Sequence, residues 1–320
     1  MMQVRPVPVA RLHMVGAAAA LAHLAGCPEP GFTEPQVLGG VEVAAETLNH
    51  GKVVYRQYCS SCHGTEGEGS TNRTGGKAPR DLTSGYFKFT SVAGDGLPLD
   101  SDLTRVIKRG IRGTQMAGHD LPDKDLDAVV QYLKTFSDRW RSEEAGTPVP
   151  VVDNPWQGKR LAAIRRGYEV YHTEAQCWTC HPAYATHEQI LNMSQQMDLR
   201  NGDNPRKSLK ARENVDKASI VDTRYGKVLP PDFLSDRLPA AKGRAGLYRA
   251  IASGIGGTPM PTWFARLSNS DLWAVVHYVQ ELVRLRGMPS AVSMRYGLPA
   301  AVKLNPGERD QKTSASGKGN

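Results

Sequence analysis

The chain has 320 residues, enough for about two compact domains with some length to spare. Hydrophobic residues make up 40% and charged residues 22%, which excludes a wholly disordered chain. The excess of 40 Lys+Arg over 32 Asp+Glu suits acidic protein surfaces or anionic headgroups, and basic residues not interleaved with aromatics argue against nucleic acid.

Residues 1–26 read as an export signal. Arg5 and Arg11 make a basic start, no acid occurs before Glu29, and residues 14–26 form a small apolar run. That run falls far short of the ~20 apolar residues of a membrane-spanning helix but fits a secretory signal core. It closes on Leu24-Ala25-Gly26-Cys27, which resembles the lipobox of bacterial lipoproteins. The resemblance implies cleavage before Cys27 and a diacylglycerol on its sulfur. The alternative is a plain signal cut within residues 17–22, with Cys27 left as a free thiol. No second long apolar stretch follows. The protein is therefore expected on the periplasmic side of a bacterial membrane, lipid-anchored and water-soluble in body. Pro28, Pro30, Pro35 and Gly39-Gly40 suggest a tether over 27–44.

The other four cysteines form two C-x-x-C-H motifs, Cys59-Ser-Ser-Cys62-His63 and Cys177-Trp-Thr-Cys180-His181. Two thiols just under one helical turn apart can reach the two vinyl groups of one porphyrin edge, and the adjacent histidine then reaches the iron. A zinc site built from four cysteines would leave both histidines unused, and a thioredoxin-type redox pair needs a βαβ setting that is absent. Two covalent haem c groups are expected.

The surroundings repeat as well. Gly51-Lys-Val-Val-Tyr55 precedes the first motif and Gly167-Tyr-Glu-Val-Tyr171 the second. Downstream, Thr104-Arg-Val-Ile-Lys-Arg-Gly-Ile-Arg-Gly-Thr-Gln-Met116 aligns without gaps on Tyr248-Arg-Ala-Ile-Ala-Ser-Gly-Ile-Gly-Gly-Thr-Pro-Met260. Each is followed by apolar residues at helical spacing: Leu126, Val129, Val130 and Leu133, then Leu272, Val275, Val276 and Val279.

This plan resembles two fused class I cytochrome c domains, so an all-α fold of two tandem domains is expected, at 45–144 and 157–288. A linker would span 145–156, and a tail, ending in a Gly/Ser/Lys-rich stretch, 289–320. The resemblance implies His63 and Met116 as axial ligands of one haem iron and His181 and Met260 as those of the other. It implies that a proline carbonyl in the loop after each motif accepts from the histidine ring, with Pro79 in the first half and Pro230 or Pro231 in the second as candidates. Arg80 is a candidate for a haem propionate or a solvent-facing residue, and Trp263 for packing near the porphyrin. The Met116 loop lacks the prolines that flank Met260, which leaves His119 as a rival ligand.

The halves differ in two respects. From His63 to Met116 is 53 positions and from His181 to Met260 is 79, so the second half carries 26 extra residues, within 182–229. That polar length reads as a surface loop or a partner-docking loop. Arg105, Lys108, Arg109 and Arg112 share one helical face in the first half only, and suggest docking of an acidic redox partner. The expected function is a membrane-tethered dihaem cytochrome carrying single electrons in a respiratory chain, alone or as a subunit of an oxidase or reductase complex, with no small-molecule substrate. The alternative is a dihaem peroxidase, which would need one iron with a displaceable distal ligand.

Overall fold

A computed structural model describes residues 31–69, 78–209, 214–239 and 243–291. The signal segment, Cys27 and the stretch from 292 to 320 lie outside these residues. A two-stranded antiparallel hairpin opens the described chain, β1 (Gln36–Leu38) and β2 (Val41–Val43). Then come α1 (Ala45–Tyr58), the single turn α2 (Ser60–His63), α3 (Asp100–Arg109), α4 (Asp123–Lys134) and the short α5 (Arg139–Ser142). The second half holds α6 (Arg160–His172), α7 (His187–Arg200), a hairpin of β3 (Val221–Thr223) and β4 (Gly226–Val228), α8 (Gly243–Ser253) and α9 (Asn269–Leu285). The fold is thus helical with two minor hairpins, where an all-α chain was expected.

Two apolar cores form, one around Leu48, Tyr55, Leu103, Val129 and Trp140, the other around Val170, Tyr171, Ile190, Val276 and Leu282. In each, an early helix crosses the closing helix: α1 on α4, and α6 on α9. A glycine sits at each crossing. A Cβ on Gly51 would lie 2.0 Å from the Ala128 carbonyl oxygen, and one on Gly167 the same distance from that of Ala274. Beside the crossings, His50 Nε2 meets Asp125 at 2.7 Å, and at the equivalent position Arg166 Nε donates to Asp271 at 2.7 Å. The Ser268 hydroxyl caps α9 by accepting from Asp271 N–H at 3.0 Å.

Two segments expected to serve as a tether and a linker are built into the structure. Within the supposed tether, Leu38 is fully buried and Gly39 N–H donates to the Trp140 carbonyl at 2.6 Å. The connector over 145–156 is held at both ends. Val149 N–H donates to the Ser91 carbonyl at 2.7 Å, and Trp156 and Trp273 donate their indole N–H groups to Ser270 and Val152 carbonyls. Of its valines, Val149 is buried while Val151 stays exposed.

His172 at the end of α6 is completely buried, with Nδ1 on the Tyr168 carbonyl at 2.6 Å and Nε2 on the Ala183 carbonyl. Burial, outweighing these acceptors, pushes its imidazole from 6.5 down to about 4. The unfolded chain therefore binds a proton that the folded chain resists. The stability this contributes is full above pH 6.5 and is lost as pH falls toward 4, by about 3 kcal/mol. A His172→Gln chain should lose that acid sensitivity in denaturant titrations at pH 7 and pH 4.

Candidate functional site

Each C-x-x-C-H motif closes on itself by the same backbone bonds. His63 N–H donates to the Cys59 carbonyl and His181 N–H to that of Cys177, both at 2.9 Å. Cys62 and Cys180 N–H groups donate to the same carbonyls at 3.1 and 3.2 Å. This places two thiols and an imidazole on one turn. A tyrosine anchors each turn to the preceding helix: Tyr55 OH donates to the Gly64 carbonyl at 2.7 Å, and Tyr171 OH to the Pro182 carbonyl at 2.8 Å. The sequence showed both tyrosines as part of a repeat but carried no sign of this role, because a carbonyl acceptor has no residue type.

The same invisibility explains a correction. His63 Nδ1 bonds the carbonyl of Arg80, at 2.9 Å, and not that of Pro79. In the second half the acceptor for His181 Nδ1 is Pro231, at 3.0 Å, not Pro230. Arg80 and Pro231 each follow a proline in equivalent loops, so loop register rather than side-chain identity selects the carbonyl. With Nδ1 donating, Nε2 carries the lone pair that a metal needs. Burial pushes the His63 imidazole down, toward this neutral form, and the Arg80 bond opposes it. Phe233 stacks on the His181 ring, centroids 4.8 Å apart and planes 21° apart, and so sets its tilt. The Arg80 side chain does not face solvent; it lies on an aromatic ring of the second half, Tyr225.

The two methionine loops share a turn. After Gly110 and Gly254, both at positive φ, Thr114 N–H and hydroxyl return to the Ile111 carbonyl, as Thr258 does to Ile255. Met116 N–H then donates to Thr114 Oγ1 at 3.1 Å, and Met260 N–H to Thr258 Oγ1 at 3.2 Å. Threonine hydroxyls, present in both loops, make this turn, so the missing prolines around Met116 do not alter it. His119 occupies the position equivalent to Trp263. Its backbone N–H donates to Ile107 as that of Trp263 does to Ala252, and its ring packs edge-on to Tyr58 at 6.1 Å. Trp263, Met260 and Cys177 all pack against the second apolar core.

The basic stripe is only partly an open face: Lys108, Arg109 and Arg112 are exposed, but Arg105 is half-buried. Arg105 is paired with buried Asp102 at 2.7 Å and donates to the Phe89 carbonyl at 3.0 Å, while Lys108 pairs with Asp123 at 3.0 Å. Arg105, Arg109 and Arg112 line a cleft of about 320 Å³ whose far wall includes Arg249 and Gly254 of the second half. Burial, with Arg105 and Arg109 nearby, pushes the Arg249 guanidinium down. The second half lacks the stripe for a packing reason. Ser253, equivalent to Arg109, donates to the Thr90 carbonyl, and Gly256, equivalent to Arg112, lies where a Cβ would be 2.2 Å from the Phe87 carbonyl oxygen. That face of the second half is turned against the first. The extra length of the second half is not a plain loop either: it forms α7 and the β3–β4 hairpin. Within it, Arg206 pairs with Asp198 and holds the Asp198 carboxyl down at about 2.

Among the described residues, no three His, Cys, Asp or Glu side chains converge on a bare metal, and the two cysteine pairs belong to different cores. The donor set of each turn, two thiols and a tautomer-fixed imidazole, fits a porphyrin held through its edge. Burial pushes the Cys59 thiol up to about 11 and the Cys177 thiol up to about 12, which keeps both as S–H. A thiol can add its sulfur and hydrogen across a vinyl double bond with no oxidant.

Residues 46–133 match the family model described as cytochrome c oxidase, cbb3-type, subunit III, a class I c-type cytochrome domain. Over these residues the first half is thus similar to a helical c-type cytochrome domain. The chain is also similar to a solved structure, the Kuenenia stuttgartiensis reducing HAO-like protein complex, with 29% identity and a TM-score of 0.57 over 73% of this chain and 96% of that one. No curated protein sequence matches this chain. Among the described residues, no helix is long and apolar enough to cross a membrane.

Proposed function

We propose that this protein is a dihaem c-type cytochrome that carries single electrons and catalyses no reaction of its own. The carrying observation is that the histidine–carbonyl bond and the methionine turn recur, bond for bond, in both halves. The similarity over 73% of the chain, more than either half contains, supports extending the cytochrome c architecture to the second half as a tandem domain. Haem c, attached through Cys59 and Cys62 and through Cys177 and Cys180, supplies an iron that gains or loses one electron. The chain's own part would be to present His63 and His181 through Nε2, with Arg80 and Pro231 fixing the rings, and to offer the sulfur of Met116 and Met260 as further ligands. A thioether favours reduced iron and raises the potential.

Cys27, outside the described residues, is the proposed lipid attachment, and the periplasmic side of a bacterial membrane the proposed location. The HAO-like neighbour is a protein complex, which favours redox proteins as partners, within an oxidase or reductase assembly. Acidic partners would meet the exposed Arg109 and Arg112 rather than Arg105.

The test uses the full chain from its native membranes. It should need detergent for release, hold two haems per chain, show a methionine-to-iron charge-transfer band for each, and keep its oxidised spectrum when peroxide is added. High-spin ferric signals with rapid peroxide consumption would assign the chain to the dihaem peroxidases instead.

A further inference from the structure

The 26 extra residues of the second half end in the β3–β4 hairpin, whose turn is Arg224-Tyr225. This turn does not point to solvent. The Arg80 guanidinium carbon lies 3.5 Å from the centre of the Tyr225 ring, and Lys88 Nζ lies 4.7 Å from it. The Tyr225 hydroxyl donates to the Gly256 carbonyl at 3.2 Å, and Arg224 N–H donates to the Gly257 carbonyl at 3.0 Å. Asp95 of the first half accepts from Gly257 N–H at 2.6 Å and meets Arg224 Nε at 3.4 Å. One ring therefore touches two functional loops. Arg80 offers the carbonyl that fixes His63, and Gly256-Gly257 begins the turn that presents Met260.

Two glycines make room for this arrangement. A Cβ on Gly256 would meet the Phe87 carbonyl oxygen at 2.2 Å, and one on Gly257, which has φ of +70°, would meet the Tyr225 hydroxyl at 2.4 Å. Neither site of closeness follows from ligand geometry within one half. The first half has Arg112 at the position of Gly256 and, among the described residues, no counterpart of the hairpin.

We propose that Tyr225 is a positioning residue that couples the two haem sites, tying the histidine side of the first to the methionine side of the second. The inference rests on the dihaem reading above. A shift of Arg80 reorients the His63 ring through its carbonyl, and a shift of Gly256 moves the Met260 turn, so one side chain sets ligand geometry at both irons. With haem bound in both halves, Tyr225 would thus hold the His63 side and the Met260 side at a fixed relation to one another.

Three variants of the full haem-loaded chain separate the two contacts. Tyr225→Leu removes both, and should shift the potential of both haems and weaken the Met260 charge-transfer band. Tyr225→Phe keeps the ring on Arg80 and loses the Gly256 bond, so only the Met260 site should respond. Arg80→Gln keeps the backbone carbonyl but loses the stack, so the His63 site should respond first. Hydrogen exchange gives a readout that is independent of redox chemistry. In Tyr225→Leu, the amides of Leu82 and Gly257 should exchange about tenfold faster, the effect of losing roughly one hydrogen bond's worth of restraint. Unchanged potentials, band and exchange in Tyr225→Leu would overturn the proposal, as would a fall in melting temperature alone. A wild-type chain with one haem would refute the dihaem reading, while the exchange experiment would still report whether the hairpin restrains both loops.

Discussion

Replacing Gly167 with alanine should destabilise the second half by roughly 3–5 kcal/mol, a large share of what a domain of this size possesses. The new methyl would lie 2.0 Å from the Ala274 carbonyl oxygen and 2.5 Å from its carbon. Both are backbone atoms in the middle of α9, so no rotamer change relieves the overlap. The helices must separate, and Val170, Tyr171, Val275 and Val279 then lose contacts in a core that was close-packed. Gly51→Ala should act the same way on the first half, against Ala128. Gly96→Ala serves as the control, because its methyl would meet nothing closer than 3.5 Å and should change stability by no more than about 0.5 kcal/mol. Chemical denaturation followed by tryptophan fluorescence measures all three. Equal midpoints for Gly167→Ala and Gly96→Ala would show that the crossing tolerates more separation than its geometry implies.

Changing Cys59 and Cys62 together to alanine should halve the haem per chain and leave the Met260 charge-transfer band intact. The Cys177/Cys180 pair should give the reverse, keeping the Met116 signal. This independence is expected because the two turns pack on separate apolar cores, and each half supplies its own histidine, acceptor carbonyl and methionine turn. Quantifying haem by its reduced pyridine complex, alongside the near-infrared band, reads both outcomes. Loss of all haem from either variant would mean that the sites assemble only as a pair, and the hairpin at Tyr225 would be the first place to look for the cause.

Much of the candidate site was legible because its chemistry is carried by rare residue types at fixed spacing. Two C-x-x-C-H motifs, and a glycine–threonine–methionine frame that aligned without gaps, identified all the thiols, imidazoles and thioethers that recur in equivalent turns. What escaped were interactions with the backbone. The carbonyl that receives His63 belongs to Arg80, one position from the proline expected, and every residue except for its register offers the same acceptor. Phe233 escaped for a related reason, since an aromatic residue in a loop looks the same whether it fills a core or stacks on an imidazole.

The basic stripe shows the other limit. Helical spacing gathered Arg105, Lys108 and Arg109 on α3, but the helix stops at Arg109 and Arg112 lies in the loop after Gly110; periodicity also says only that residues share a face, not what that face meets. Here it meets Asp102, Asp123 and the second half of the same chain. The 26-residue difference between the halves was equally plain as a number and equally mute about destination. By itself the sequence determined which thiols, imidazoles and thioethers make up the proposed haem sites, because such a donor set depends on element and local spacing, and both are written in consecutive residues. Only the tertiary structure decided how the halves meet, through Gly256, Asp95 and Tyr225, because contacts between distant segments depend on shape and register that no local pattern records.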